Sequence, residues 1–224
     1  MKRVKLSDRV LPVYTKGEEI FNMVSHIVGG GLGVAVLALC IIIAAINGNG
    51  YGIASGIVYG ISLILLYTMS SIYHGLKPES KAKKVFQIMD HCSIFLLIAG
   101  TYTPFALGTL REYSVALGWT IFGIVWALAV LGIVLNSIDI KKYKVFSMIC
   151  YLAMGWCIIF RIDVIYQGLG LSGFVLLLLG GIAYTIGAVI YGLGKKYKWM
   201  HSVFHLACII GSALQALCVL LYVM

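Results

Sequence analysis

The chain has 224 residues, 61% of them hydrophobic and 11% charged, with a mean hydropathy of +1.00. That balance excludes an ordinary soluble domain and makes the bilayer the expected solvent. The net charge of +9 does not describe a nucleic-acid surface, because fifteen of the 17 basic residues fall in four clusters that flank apolar stretches; it reports topology and attraction to anionic headgroups.

A hydrocarbon core of roughly 30 Å takes about 20 helical residues to cross. Seven stretches reach that length: residues 20–46, 50–75, 85–108, 115–136, 145–167, 172–194 and 201–223. The expected architecture is therefore an all-α integral membrane protein, a seven-transmembrane helix bundle over 17–224, preceded by a polar arm over 1–16. Lys2, Arg3, Lys5, Arg9 and Lys16 precede the first span, and Lys77, Lys81, Lys83 and Lys84 follow the second. Lys141, Lys142 and Lys144 follow the fourth, and Lys195, Lys196 and Lys198 the sixth, leaving only Arg111 and Arg161 for the opposite side. This asymmetry places the amino terminus and its arm in the cytoplasm and the carboxyl terminus outside, in a multi-pass protein of the cell membrane. The first apolar segment is long and lacks a small-residue cleavage site, so it reads as a retained span.

In the first span Glu19, Asn22 and His26 share one helical face. They either support a site or are solvated at the interface. Gly29, Gly30, Gly31 and Gly33 follow, and in lipid such a run permits close helix packing. Asn47-Gly48-Asn49-Gly50 marks a turn. The second span closes on Ser70-Ser71-Ile72-Tyr73-His74, with Ser70 and His74 on one face. Asp90 and His91 lie about one turn into the third span, where Pro104 is expected to introduce a kink. Arg161 and Asp163 lie near the outer end of the fifth, where a two-residue helical spacing keeps them from facing each other and favours snorkelling. The six cysteines lie within spans without a C-x-x-C spacing, as small buried thiols do. His201-Ser202-Val203-Phe204-His205 opens the seventh span, and its i, i+4 imidazoles make a chelating pair.

All five histidines and Asp90 thus gather in one layer, at the span ends that abut lysine-rich loops. Ionisable groups within a membrane are costly and mark function. Neutral imidazole suits zinc, and three protein ligands leave a fourth tetrahedral position for water. His74, His201 and His205 are the expected ligands. A water on such a zinc can ionise near pH 7. Asp90 is placed to orient that water or take its proton, and Ser70 to hydrogen-bond a substrate oxygen or a ligand. His91 projects about 100° from Asp90 on the same helix and is not among the expected ligands.

The pattern S-x-x-x-H in the second span, Asp90 in the third and H-x-x-x-H in the seventh resembles that of the progestin and adipoQ receptor superfamily, specifically its bacterial hemolysin III branch. Glu18-Glu19-Ile20-Phe21-Asn22 with His26, Asp90-His91-Cys92-Ser93-Ile94-Phe95 and Ala99-Gly100-Thr101-Tyr102-Thr103-Pro104 carry the same likeness. The resemblance implies seven helices, a cytoplasmic amino terminus and an intramembrane zinc on three histidines, with the aspartate reaching it through water. It further implies a ceramidase-like hydrolase or a hemolysin.

Three functions follow as expectations. The first is zinc-dependent hydrolysis of a lipid amide or ester, the membrane lipid being the partner and the role one in lipid homeostasis. The second is a pore or transporter, which the inward clustering of ionisable groups disfavours, since transport sites favour the midplane. The third is a lipid-responsive regulator in which zinc is structural.

Overall fold

A computed structural model describes residues 4–194 and 197–224. Lys2, Arg3, Lys195 and Lys196, which entered the charge count above, lie outside the described residues. All regular structure among the described residues is helical.

Helix α1 spans Lys16–Ile46 and opens on a capping box, in which the Thr15 hydroxyl accepts from Glu18 N while the Glu18 carboxylate accepts from Thr15 N. The expected turn follows, with Gly48 at φ 65, and Asn49 caps α2 (Gly50–Gly75) by accepting from Gly52 N at 2.7 Å. Ser80 caps α3 (Lys81–Pro104) in the same way, through Lys83 N. The proline does not end the helix. Its missing N–H is met by a change of winding, a π-helical stretch over Phe105–Leu110, and the run continues through Arg111–Tyr113. Ser114 then caps α4, Val115–Asp139. Helix α5 (Lys144–Trp156) passes through a 3-10 turn at Cys157–Arg161 into α6 (Ile162–Leu193), and α7 covers Met200–Tyr222.

Among the described residues six helical runs are long and apolar enough to cross a membrane: Lys16–Ile46, Gly50–Gly75, Lys81–Tyr113, Val115–Asp139, Lys144–Leu193 and Met200–Tyr222. The fifth and sixth expected spans fall within one run of 50 residues. A straight helix of that length would extend about 75 Å, more than twice the hydrocarbon thickness. It is not straight, because Gly170 breaks it at φ 64, ψ 179 between residues 167 and 172, where the two expected spans part. Only glycine adopts that backbone conformation readily. Large apolar side chains such as Ile27, Val28, Val34 and Ile42 are exposed along α1, as they are on the other long helices. The protein is an integral, multi-pass membrane protein.

Two packing centres hold the bundle. One gathers α1, α2, α6 and α7 around Val36, Tyr59, Leu63, Tyr67, Ile165 and Val219. The other joins α3, α4 and α5 around Phe95, Ala99, Val125, Ala129 and Met154. In the glycine run the packing role divides. A Cβ on Gly29 would meet the Tyr67 ring at 2.5 Å and one on Gly33 would meet Ile64 N at 3.0 Å, whereas Gly31 faces open space. Within the run, only the i, i+4 pair leaves no room for a Cβ at the α1/α2 seam.

One expectation is corrected. Arg161 and Asp163 do pair, Nε to Oδ1 at 3.1 Å and Nη2 to Oδ2 at 3.2 Å. The helical spacing rule fails there because Arg161, at φ −134 and ψ 41, ends the 3-10 turn and precedes α6. All six cysteines are free; Cys40, Cys92 and Cys218 are buried as expected, while Cys150, Cys157 and Cys208 are only half-buried.

Gly29→Val should force the Tyr67 ring out of its place and cost about 1–3 kcal/mol, the usual range for overpacking. Gly31→Ala should leave stability unchanged or slightly raised; thermal unfolding of both variants in detergent reads the difference.

Candidate metal centre

His74 ends α2, and His201 and His205 occupy the first two turns of α7, so the three imidazoles come from opposite ends of the sequence to one level. Their ligand nitrogens lie within 4.8 Å of one another. His201 Nε2 and His205 Nε2 are 3.1 Å apart. Two nitrogens on one tetrahedral zinc, each about 2.0–2.1 Å from it, stand about 3.3 Å apart, so this spacing suits a shared ion. His74 Nδ1 donates to Glu19 Oε2 at 2.6 Å, which in the neutral imidazole assigns the lone pair to Nε2. That Nε2 is buried and has no hydrogen-bond partner among the described residues. A buried acceptor facing two further imidazoles is what a cation site requires. The triad can hold a metal ion.

Behind it runs a chain of charge. Glu19 Oε1 accepts from Lys83 Nζ at 2.7 Å, and the same ammonium donates to Leu76 O at 3.1 Å. Lys83 is only 1% exposed, so the pair compensates two charges that burial would otherwise make costly. Carboxylate support beneath a ligating imidazole raises its basicity and holds its ring. Aromatic rings enclose the remaining sides. Tyr14 stacks on His201 with centroids 4.9 Å apart and planes at 18°, and Tyr73 meets His74 edge-on at 4.7 Å. His26, on α1, stacks on His205 at 3.7 Å.

Asp90, Ser70, His26 and His91 line a cavity of about 240 Å³ together with His201 and His205. From that polar end the cavity continues among Ile94, Leu97, Phe105, Ile165, Phe174 and Leu177, an apolar sleeve between helices. Asp90 is outside the cluster of close ligand atoms, with its carboxylate 3.8 Å from His91 Nδ1. His91, as expected from its 100° offset from Asp90, is also outside the cluster; both residues reach the cavity wall, and His91 Nδ1 donates to Gln87 O at 2.9 Å. The Ser70 hydroxyl and the Asn22 side-chain amide are buried without hydrogen-bond partners among the described residues. Such groups take water or a ligand.

Three residues escaped the sequence reading. Lys83 looked like one more loop lysine, although its i, i+7 relation to Asp90 places it on the same face of α3. Tyr14 carried no periodic signal, since it precedes α1, whereas Glu18 is at i, i+4, i+8 with Asn22 and His26 on the buried face of α1, a spacing that could have found it. The arm is also not a free polar tail. Arg9 donates to the carbonyls of Ser137 and Ile138 at the carboxyl end of α4, Val4 N donates to Ile138 O, and Lys84 Nζ donates to Ser7 O.

Fold and site together define a polytopic helical membrane protein with a three-histidine cluster, two of whose members line a largely apolar cavity. The profile of the family described as "Haemolysin-III related" matches residues 14–216, and the chain belongs to that family. It is 42% identical over 207 residues to Hemolysin-3 of Bacillus cereus, covering 92% of each chain. It is 40% identical over 210 residues to the Hemolysin-3 homolog of Bacillus subtilis, covering 94% of this chain and 96% of that one. A more distant likeness, 27% over 154 residues and 66% of this chain, reaches the monocyte to macrophage differentiation factor of Homo sapiens, of which it covers 62%. That likeness agrees with membership of the wider progestin and adipoQ receptor superfamily.

Glu19→Ala should lower metal affinity about 10–100-fold while leaving the three ligands in place. Competition with a chelating dye reads this directly, and an unchanged affinity would remove Glu19 from the support of His74.

Proposed function

We propose that this protein is a zinc-dependent membrane hydrolase acting on an amide or ester bond of a lipid. The observation that carries the reading is that the three-imidazole cluster includes two members, His201 and His205, that line a largely apolar cavity. Zinc is the metal of choice because the donor set is all-imidazole and because His201 and His205 have the spacing of tetrahedral ligands. When bound it supplies a Lewis acid that activates water and polarises a carbonyl.

The chain's own residues account for the rest. His74, held by Glu19, presents Nε2; His201 and His205 present Nε2 from successive turns. Asp90 takes a proton from water, or orients it, from the cavity wall, and Ser70 donates a hydrogen bond to the substrate oxygen. The apolar sleeve takes the acyl chain, which reaches it laterally between helices. Burial of the site excludes bulk water and strengthens each of these contacts. Asn22 and His26 belong to the same support, behind His205.

In this reading the membrane domain over 17–224 crosses seven times, with the run Lys144–Leu193 making two crossings about Gly170. The amino terminus and its arm are cytoplasmic and the carboxyl terminus outside, as the lysine asymmetry supports. The partner is a membrane lipid, and the role is in membrane lipid homeostasis.

A second reading is a pore. It is favoured by the name of the Bacillus relatives.

Purified protein should contain about one zinc per chain, set by the three-ligand geometry. His74→Ala, or His201→Ala with His205→Ala, should remove both metal and lipid turnover, read by metal analysis and lipidomics side by side. Metal-free wild type with full turnover would end the enzyme reading. Liposome flux that persists in a triple-histidine variant would favour the pore.

A further inference from the structure

Helix α7 begins at a costly place. Trp199, its N-cap residue, is in the left-handed region at φ 66, ψ −8, and is the sole non-glycine residue with positive φ among the described residues. A bulky side chain there is an outlier that persists only where its surroundings impose it. Trp199 offers no side-chain cap to the helix start. Two residues later comes His201.

What imposes the conformation is one carboxylate. Glu18 Oε1 accepts from Trp199 N at 2.6 Å, while Glu18 Oε2 accepts from Thr15 N at 2.8 Å and from the Thr15 hydroxyl at 2.7 Å. The Trp199 ring lies against Gly17, where a Cβ would come within 3.4 Å of it, and meets Phe21 edge-on. A buried anion at the start of α7 also complements the positive end of that helix. On its other side, the same carboxylate fixes Thr15, the residue next to Tyr14, whose ring covers His201. Two of the features that place the His201 imidazole, the turn that carries it and the Tyr14 ring stacked on it, are thus tied to Glu18.

We propose that Glu18 is a positioning residue of the metal centre: it holds the first turn of α7, and Tyr14 above it, so that His201 completes the triad. This rests on the metal reading above. It assigns to the two consecutive glutamates separate tasks, Glu19 supporting His74 and Glu18 supporting His201 through backbone and ring. The side chain of Glu18 touches no ligand directly in any hydrogen bond of the structure among the described residues.

The test uses the full chain in detergent, loaded with Co²⁺ as a coloured stand-in for zinc, with three variants. Glu18→Ala removes every acceptor. Glu18→Gln keeps the shape but has one acceptor oxygen, which can serve Trp199 N or Thr15 N and not both. Thr15→Ala loosens the α1 cap while leaving both backbone hydrogens their carboxylate, and so controls for general destabilisation. Cobalt release to a chelator should quicken about 10–100-fold in Glu18→Ala, the range for lost support of a metal ligand. Glu18→Gln should fall between, with an altered visible spectrum in both, and Thr15→Ala should match wild type. Hydrogen exchange of the metal-free proteins supplies the second measurement, with amides of 199–203 losing protection in Glu18→Ala alone. Unchanged release in Glu18→Ala, or equal acceleration by Thr15→Ala, would overturn the proposal. Should wild type bind neither cobalt nor zinc, the metal reading fails. Exchange then still decides whether Glu18 holds the start of α7: retained protection in Glu18→Ala overturns that too.

Discussion

His201 and His205 turn their Nε2 atoms towards each other across 3.1 Å in the interior of a lipid-embedded bundle, and the rest of the site is arranged around that contact. An i, i+4 pair on a helix brings two imidazoles to one side without any help from the rest of the chain. What it cannot do is supply the third donor or keep the rings from turning away. Those tasks fall to α1 and α2. His74 arrives with its proton directed at Glu19, and Tyr14, His26 and Tyr73 pack against the three rings. Each contact is individually modest, but in a site closed to water their sum leaves the ligand rings few alternatives.

The packing of α1 on α2 is the mechanical condition for this arrangement. Gly29 and Gly33 let the two helices approach until Tyr67 crosses from α2 to reach Ser212 on α7, its hydroxyl donating at 2.7 Å. The same ring meets His26 edge-on at 4.9 Å. A larger residue at the seam would therefore move the floor of the site as well as loosen the bundle. Charge is handled with similar economy. Lys83 and Glu19 neutralise each other beneath His74, so the layer of imidazoles need not carry the cost of an isolated ion.

Much of this was legible in the chain alone, for reasons that can be traced to particular residues. The depth match of His74, Asp90, His201 and His205 follows from counting residues along apolar segments, because a membrane fixes what a span length means. The triad could be assembled from that count, since an i, i+4 pair and one more imidazole at equal depth have few other ways to meet. Other features depend on backbone departures that no periodicity encodes. Arg161 and Asp163 pair because the chain is between a 3-10 turn and a helix, and a rule written for continuous helix misplaces them. The continuous run through Gly170 hides a boundary that the hydropathy pattern had drawn as a gap. Tyr14 and Trp199 act through the arm before α1 and a left-handed turn, where side-chain direction is set by tertiary contact. Lys83 shows the converse case, a lysine whose type argues for the surface and whose position on α3 argues for the interior.

The cavity gives the centre its chemical sense. Polar groups converge at one end, among them Asp90 and Ser70, and beyond them the walls are aliphatic and aromatic. That gradient matches an amphipathic molecule whose polar linkage is held at the imidazoles while its chain lies among the helices. The account therefore stands or falls on whether one ion occupies the triad. X-ray absorption at the zinc edge of the purified protein tests this most directly. It should show three nitrogen scatterers at about 2.0–2.1 Å with imidazole outer shells and one further light ligand. Zinc absent from the purified protein, or bound through sulfur, would contradict it.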